Sequence, residues 1–345
     1  MIDGKTTSPS IRHTIAVLGA GNIGTALAHS LVGNGHDIAL WDYFPEVVED
    51  IRQNRSNCRF LPGILLHENI RPCASPVECV AGASLIVLCM PSAFVGSTLT
   101  PLISVLETGA ILLNVAKGFA PDGYELIPSF LNRLAPEHSC VQLAGPMIAN
   151  ELMRGVTAYI TLAGGNSAAA TQVAAMFSGS MFVPTTTDDV AGAALGGILK
   201  NVYAILLGCA ETLSGSAHNL EAAAVTACLD EMVKIAGASG GRASTIYGLA
   251  GLGDLVATGF SHDSHNRKFG QMLAVGKTSK AIKQKTGWLP EGARAAAIVG
   301  KLAREKRVAA PLVEWVATII EGTAPSLENL ALALRTSHFS EDLPS

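Results

Sequence analysis

The stretch TIAVLGAGNIG, residues 14–24, constrains this chain more than any other. A short apolar run ends in a Gly-x-Gly-x-x-Gly turn and passes directly into TALAHSLVGNG, a segment with helical spacing. A second apolar run, DIALW, follows, and Asp42 closes it eighteen residues after the last glycine. Strand, glycine turn, helix, strand and acid in this register predict a βαβ unit that binds a dinucleotide. Gly19 permits the tight turn, Gly21 lets backbone approach a pyrophosphate, and Gly24 lets helix and strand pack closely. Asn22 and Ile23 fall at the start of the helix, whose unpaired N–H groups attract phosphate. Asp42 would accept hydrogen bonds from an adenosine ribose and repel a 2′-phosphate, which favours NAD and leaves NADP as the second choice. Its alternative reading is a plain turn residue. Tyr43 and Phe44 are either flanks for an adenine or exposed aromatics.

From Thr14 to about Pro184 short β-rich runs alternate with helical stretches, which predicts an N-terminal Rossmann-type doubly wound sheet of parallel strands joined by right-handed crossovers. CVQLA, AYITLA and MFVPT continue the rhythm as further strands. After about Asp188 the β signal stops and long Ala-rich segments take over, so the α/β part is followed by an all-helical C-terminal domain. The expected division is a flexible leader over 1–13, a dinucleotide-binding domain over 14–188, a helical substrate and catalytic domain over 189–336, and a polar tail over 337–345. A junction without a flexible linker implies a rigid cleft between the domains, where ligands commonly bind.

Composition narrows the partners. The 345 residues are 49% apolar and only 15% charged, and the net charge of −4 comes without any block of Lys and Arg. A compact globular protein with a small-molecule ligand is expected, and neither nucleic acid nor an anionic membrane. Seven scattered cysteines with no C-x-x-C pattern suit reduced thiols in a cytoplasmic protein. The first residues lack the apolar core of a secretory signal, and the apolar run over 190–208 carries Lys200, so it reads as a buried helix. The apolar C-terminal helices make a homodimer reasonable.

Chemistry concentrates in a few strings. NVAKGF places Lys117 just beyond a strand, at the edge where doubly wound folds bind ligands, although an exposed lysine there is often only solvated. AGPMIANE follows the next strand in the same way. In ILKNVYAILLG, Lys200 interrupts an apolar helix, where a charge is costly unless it is paired or functional. Desolvation should lower its pKa toward neutrality and suit it to proton transfer; the bland alternative is a lysine snorkelling at a helix edge. Asp254, in LAGLGDLVAT, is the natural counter-charge. His262, Asp263 and His265 lie close in sequence, but their spacing does not put three ligands on one helix face, and no metal is expected.

Together GAGNIG, FLPGILLHENI, CMPSAF, NVAKGF, AGPMIANE, LGGILKNVYAI, LAGLGDLVAT, SHNRKFG and PEGARA resemble the NAD(P)-dependent sn-glycerol-3-phosphate dehydrogenase family, from about Ile15 to Leu334. The resemblance implies reversible reduction of dihydroxyacetone phosphate with a nicotinamide cofactor, in the supply of glycerophospholipid precursors. By the same resemblance Lys200 is the proton donor and acceptor, and Lys117 touches cofactor and substrate. Gly145, Asn201, Thr258, Ser264, His265, Asn266 and Arg267 fall at the substrate site. Pro91, Ala149, His265 and Glu291 fall on the cofactor side.

Departures from the family pattern leave a choice open. His265 stands where the family carries a phosphate-binding Arg, Met147 where a polar residue is usual, Glu221 where a Lys is frequent and Ala194 where a Glu is frequent. A guanidinium grips phosphate bidentately, whereas a His offers one N–H with a pH-dependent charge. Either Arg267 compensates and the substrate is the family's own, or a dehydrogenase of this fold takes a different small anionic hydroxy or keto compound. A sensor that binds nucleotide without turnover is a third reading, against which the retained Lys200, Asn201 and Asp254 argue.

Overall fold

A computed structural model describes residues 12–121, 123–179 and 181–338. Most of the expected leader and tail lie outside these residues. Eight strands form one sheet: β1 (Thr14–Leu18), β2 (Asp37–Trp41), β3 (Ile70–Pro72), β4 (Leu85–Leu88), β5 (Ile111–Asn114), β6 (Cys140–Ala144), β7 (Ala158–Ala163) and β8 (Phe182–Thr187). Their order is β3-β2-β1-β4-β5-β6-β7-β8. The chain builds outward from β1 in one direction, returns beside it with β4, and continues in the other, which opens a crevice beyond the carboxyl ends of β1 and β4.

The central strands are buried along their whole length because helices cover both faces, and the sequence therefore shows apolar runs without alternation there. One expectation fails. β7 runs antiparallel to β6, with Leu143 opposite Leu162, while β8 returns parallel to β7. The connection from β6 to β7 holds only the five-residue helix Ala149–Met153, too short a helix to carry the chain across the sheet face, and β7 runs back beside β6. The short strand β3 is a further element that its three residues, one of them proline, did not announce.

The sheet ends at Thr187, and the helix Val190–Ser214 begins three residues later with Asp189 as its cap, accepting the Gly192 N–H at 2.9 Å. Arg242 closes this junction by donating its backbone N–H to the other Asp189 oxygen at 2.8 Å. Val190–Ser214 is the axis of the helical domain. It is long and apolar enough to cross a membrane, yet 89% of its most apolar window is buried inside the protein, as befits a core helix. Helices His218–Ala238, His265–Ala274, Glu291–Glu305, Pro311–Glu321 and Leu327–His338 surround it.

Two features fix this packing. Gly208 and Gly270 let Val190–Ser214 and His265–Ala274 touch backbone to backbone, since a Cβ at either position would overlap a carbonyl oxygen of the other helix, that of Arg267 or Ile205. Glu231, fully buried, accepts from Tyr203 Oη at 3.0 Å, from the Leu312 and Val313 N–H groups at 3.0 and 2.9 Å, and from Ser337 Oγ at 3.1 Å. Four donors make a buried carboxylate tolerable, and here they lock the last helices onto the core. Ser337, the first residue of the expected tail, is thus part of the last helix.

Candidate active site

The glycine turn follows β1, Lys117 follows β5 at the sheet edge, and Lys200 lies on the helix Val190–Ser214 that meets that edge. Beyond β1, Gly19 adopts φ +104°, and a Cβ there would lie 2.9 Å from the Cys89 carbonyl group. A Cβ on Gly24 would overlap the Gly19 carbonyl oxygen, whereas Gly21 faces open space. The helix Asn22–Gly33 has Gly21 as its N-cap with no side-chain cap, so its first N–H groups remain free for an anion. These features fit a dinucleotide pyrophosphate. Gly24→Ala is expected to weaken dinucleotide binding by about 5- to 150-fold, because overpacking of about 1–3 kcal/mol must displace the turn. Titration of the variant with NADH, beside its circular dichroism spectrum, checks this.

Asp42, the residue just after β2, is nearly buried, accepting the Ala20 N–H at 2.6 Å and the Phe44 N–H at 2.9 Å. It is more than a turn residue, because its carboxylate ties the glycine turn to the end of β2. Asn57, which sequence reasoning passed over, is fully buried and donates to the Ala20 carbonyl at 2.8 Å and to Thr25 Oγ1 at 2.9 Å. Asn22 answers by donating to the Phe60 carbonyl at 2.7 Å. The turn 57–61 is therefore a second wall of the crevice. Ile23 packs on the apolar core, Pro91 opens the helix after β4, and Ala149 opens the one after β6.

Opposite this wall the helical domain supplies a charged cluster. Lys117 Nζ lies 2.5 Å from Asp254 Oδ2, and Lys200 Nζ lies 3.0 Å from Asp254 Oδ1. Lys200 also donates to Thr258 Oγ1 at 2.7 Å, and Thr258 in turn donates to Asp254 Oδ1 at 3.2 Å. One carboxylate, 1% exposed, thus joins two lysines from different domains. The double glycine before Lys200 makes this possible. Gly196 admits the Ala250 carbonyl, and Gly197 admits the stem of Lys117, whose Cγ would lie 3.4 Å from a Cβ there. A π-turn over Leu249–Gly253 then delivers Asp254 at the start of its helix. Asn114, buried at the end of β5, donates to the Ala116 carbonyl at 3.0 Å and to Gln142 Oε1 at 2.6 Å, fixing the loop that carries Lys117.

Burial pulls the Lys200 ammonium down to about 8, aided by Lys117 and opposed by Asp254. Burial alone would push Asp254 up, but the two lysines outweigh it and hold the carboxyl below its usual range. Asn201, next to Lys200, accepts from Asn266 Nδ2 at 3.0 Å and donates to Glu291 Oε2 at 3.5 Å. Asn266 Oδ1 also accepts the Gly292 N–H at 3.0 Å. Burial raises the Glu291 carboxyl above its usual value. At Gly145, φ +103° and the nearby Tyr159 carbonyl require a glycine after β6.

The loop 261–267 is arranged differently from expectation. Ser264 Oγ caps the helix His265–Ala274 by accepting the Arg267 N–H. Arg267 does not turn toward Lys200. Its guanidinium is buried, pairs with Glu211 and donates toward His262 Nδ1 at 3.4 Å. Glu211 lies eleven residues beyond Lys200 on Val190–Ser214, about 16 Å along the axis. Arg267 is therefore a helix-to-helix anchor, because a buried guanidinium needs a carboxylate and Glu211 is the one in reach. His265 rests edge-on against Trp288, with ring centroids 4.6 Å apart, and burial and Lys268 hold its pKa below the usual value. The two histidines face different partners, and among the described residues no group of His, Cys, Asp and Glu is arranged to hold a metal ion. Met147 is packed in the apolar core of the sheet domain, and Glu221 faces His218 at 3.4 Å.

A doubly wound dinucleotide fold, met at its carboxyl edge by a buried lysine from a helical domain, is the build of a two-domain NAD(P)-dependent dehydrogenase acting on a CH–OH group. Comparison with known proteins narrows this class. The profile of the NAD-dependent glycerol-3-phosphate dehydrogenase N-terminus matches residues 14–170, and that of its C-terminus matches 189–330; the chain belongs to this family. The glycerol-3-phosphate dehydrogenase [NAD(P)+] of Trichlorobacter lovleyi is 37% identical, over 90% of this chain and 94% of its own length. That of Anaeromyxobacter dehalogenans is 36% identical, over 92% of this chain and 97% of its own. The crystal structure of glycerol-3-phosphate dehydrogenase from Coxiella burnetii superposes with a TM-score of 0.86 at 29% identity, covering 94% of this chain and 98% of that one.

Proposed function

We propose that the chain reduces dihydroxyacetone phosphate to sn-glycerol 3-phosphate, reversibly, with NAD as the favoured cofactor. The observation that carries the reading is Asp254 holding Lys117 and Lys200 together, with Thr258, where the sheet edge meets the helical domain. When bound, the nicotinamide supplies the hydride in reduction and takes it back in oxidation. Lys200 gives its proton to the developing alkoxide, or removes the hydroxyl proton in the reverse direction. Lys117 stabilises charge on the same oxygen, and Asp254 holds both ammonium groups in place. Asn201 and Asn266, mutually bonded, offer amide groups to the substrate beside Lys200. Residues 14–188 hold the cofactor in this reading, and 189–336 hold the substrate. Cytoplasmic residence and a homodimer are consistent with the scattered free thiols and the apolar helical domain.

His265 bears on the phosphate. Burial and Lys268 hold its pKa down, and it stands at the helix N-terminus where the resembled family places an Arg. Purified protein is expected to oxidise NADH when given dihydroxyacetone phosphate, and His265→Arg is expected to lower KM for it by about tenfold, the gain of one charge-assisted contact. Steady-state assays against a panel of phosphorylated and carboxylated ketones test both. Folded protein that ignores dihydroxyacetone phosphate but turns over another ketone would replace this substrate with that one.

A further inference from the structure

The second wall of the crevice carries a cation that the catalytic reading does not use. Arg59 stands on the turn 57–61, which is tied to the glycine turn at two points, by Asn57 to the Ala20 carbonyl and by Asn22 to the Phe60 carbonyl. Its position relative to the cofactor crevice is thereby fixed. The guanidinium carbon lies 3.7 Å from the centroid of the Phe44 ring, and Phe44 is two residues beyond Asp42 and bonded to it. Asp42 marks the end of the crevice that receives the adenosine ribose. Arg59 therefore hangs over that same end.

Two further details give it a role. Asp42 is drawn inward, each carboxylate oxygen already accepting a backbone N–H, so its charge presses less on a 2′-substituent than a free carboxylate would. Arg59 has a half-exposed side chain and uses one donor on Glu46, at 2.7 Å, which leaves most of its N–H groups open to a new acceptor. A planar fork held flat on an aromatic ring suits a phosphate group better than a hydroxyl.

We propose that Arg59 is the residue through which this protein accepts the 2′-phosphate of NADP, offsetting the discrimination exerted by Asp42, with Glu46 holding the guanidinium in reserve. The proposal rests on the dinucleotide reading of the crevice and not on the identity of the substrate. On NADPH binding, the phosphate oxygens displace Glu46 and take paired N–H donors. With NADH, Arg59 stays on Glu46 and contributes nothing to the cofactor.

Calorimetric titration of the full chain with NADPH and with NADH, without substrate, tests this. Arg59→Ala is expected to lose about tenfold or more in NADPH affinity while NADH affinity stays within about twofold, the difference one charge-assisted phosphate contact makes. Arg59→Lys should recover part of the loss, because the charge returns without the fork. Glu46→Gln should tighten NADPH several-fold by releasing the guanidinium. Equal losses for both cofactors in Arg59→Ala would overturn the proposal and leave Arg59 as packing for Phe44, and so would unchanged binding of both or a wild-type protein that binds NADH alone. Since no turnover is measured, failure to reduce dihydroxyacetone phosphate would count against the substrate and leave this result standing.

Discussion

Lys200→Ala is expected to lower kcat for carbonyl reduction by about 10²–10⁴-fold, the usual contribution of a positioned general acid, with cofactor affinity nearly unchanged. Lys200 is nearly buried, yet its Nζ is held by Asp254 at 3.0 Å and Thr258 at 2.7 Å, so its position is set by partners that do not titrate near neutrality. Burial has pulled its pKa down to about 8, which lets it exchange protons where an ordinary lysine would remain charged. The signs of the two pH profiles follow. Reduction needs the ammonium, so its rate should fall as pH rises through about 8. Oxidation needs the free amine, so its rate should rise through the same range. Steady-state rates in both directions between pH 6 and about 10 would show the crossing limbs. A Lys200→Ala enzyme that kept cofactor-dependent turnover would transfer the proton role to another group.

Asp254→Asn is the substitution with the second-largest expected effect, and it acts on stability as well as rate. It leaves two ammonium groups, 14% and 9% exposed in their side chains, facing one neutral amide. Removing one partner of a buried charge network typically costs about 3–5 kcal/mol, because the remaining charges stay uncompensated. Lys200 should respond by titrating lower still, since Asp254 is the group that raises it. The rising limb of the oxidation profile then moves to lower pH, which a purely structural aspartate would not produce. In the wild type the Asp254 carboxyl is held below its usual range, so its stabilisation is present above about pH 4, the unfolded value, and is lost as pH falls through the folded value. Thermal melts of both proteins across pH 3–8 should therefore converge toward the acid end, roughly as that linkage requires.

The candidate site was legible in the sequence wherever a residue violated its surroundings. Lys200 in an apolar helix and Asp254 in an apolar loop each had to be explained by the other, and they meet. Gly19 and Gly24 were legible for the opposite reason, that no side chain fits where they stand. Arg267 was misread. Nothing local tells whether an arginine at a helix start turns forward to a ligand or back to an acid, and the acid, Glu211, is far away in sequence on another helix. Asn57 and Asn114 were missed because a buried Asn that braces a backbone carbonyl looks, in sequence, like any turn residue.

The reversal of β7 against β6 belongs with these. The alternation of AYITLA carries no strand direction, and the five-residue helix before it did not announce a reversal. What the sequence by itself determined is therefore the local chemistry: the dinucleotide turn, the division into a sheet and a helical part, and the costly charges that had to pair. Strand and helix periodicities and glycine sterics act within a few residues, so they survive in a linear reading. The tertiary structure alone decided which charges face one another, that one carboxylate spans two lysines from different domains, and that Arg267 pairs with Glu211 while Arg59 lies over the Phe44 ring. Those outcomes depend on which surfaces the folded core brings within a few ångströms, and no single segment carries that information.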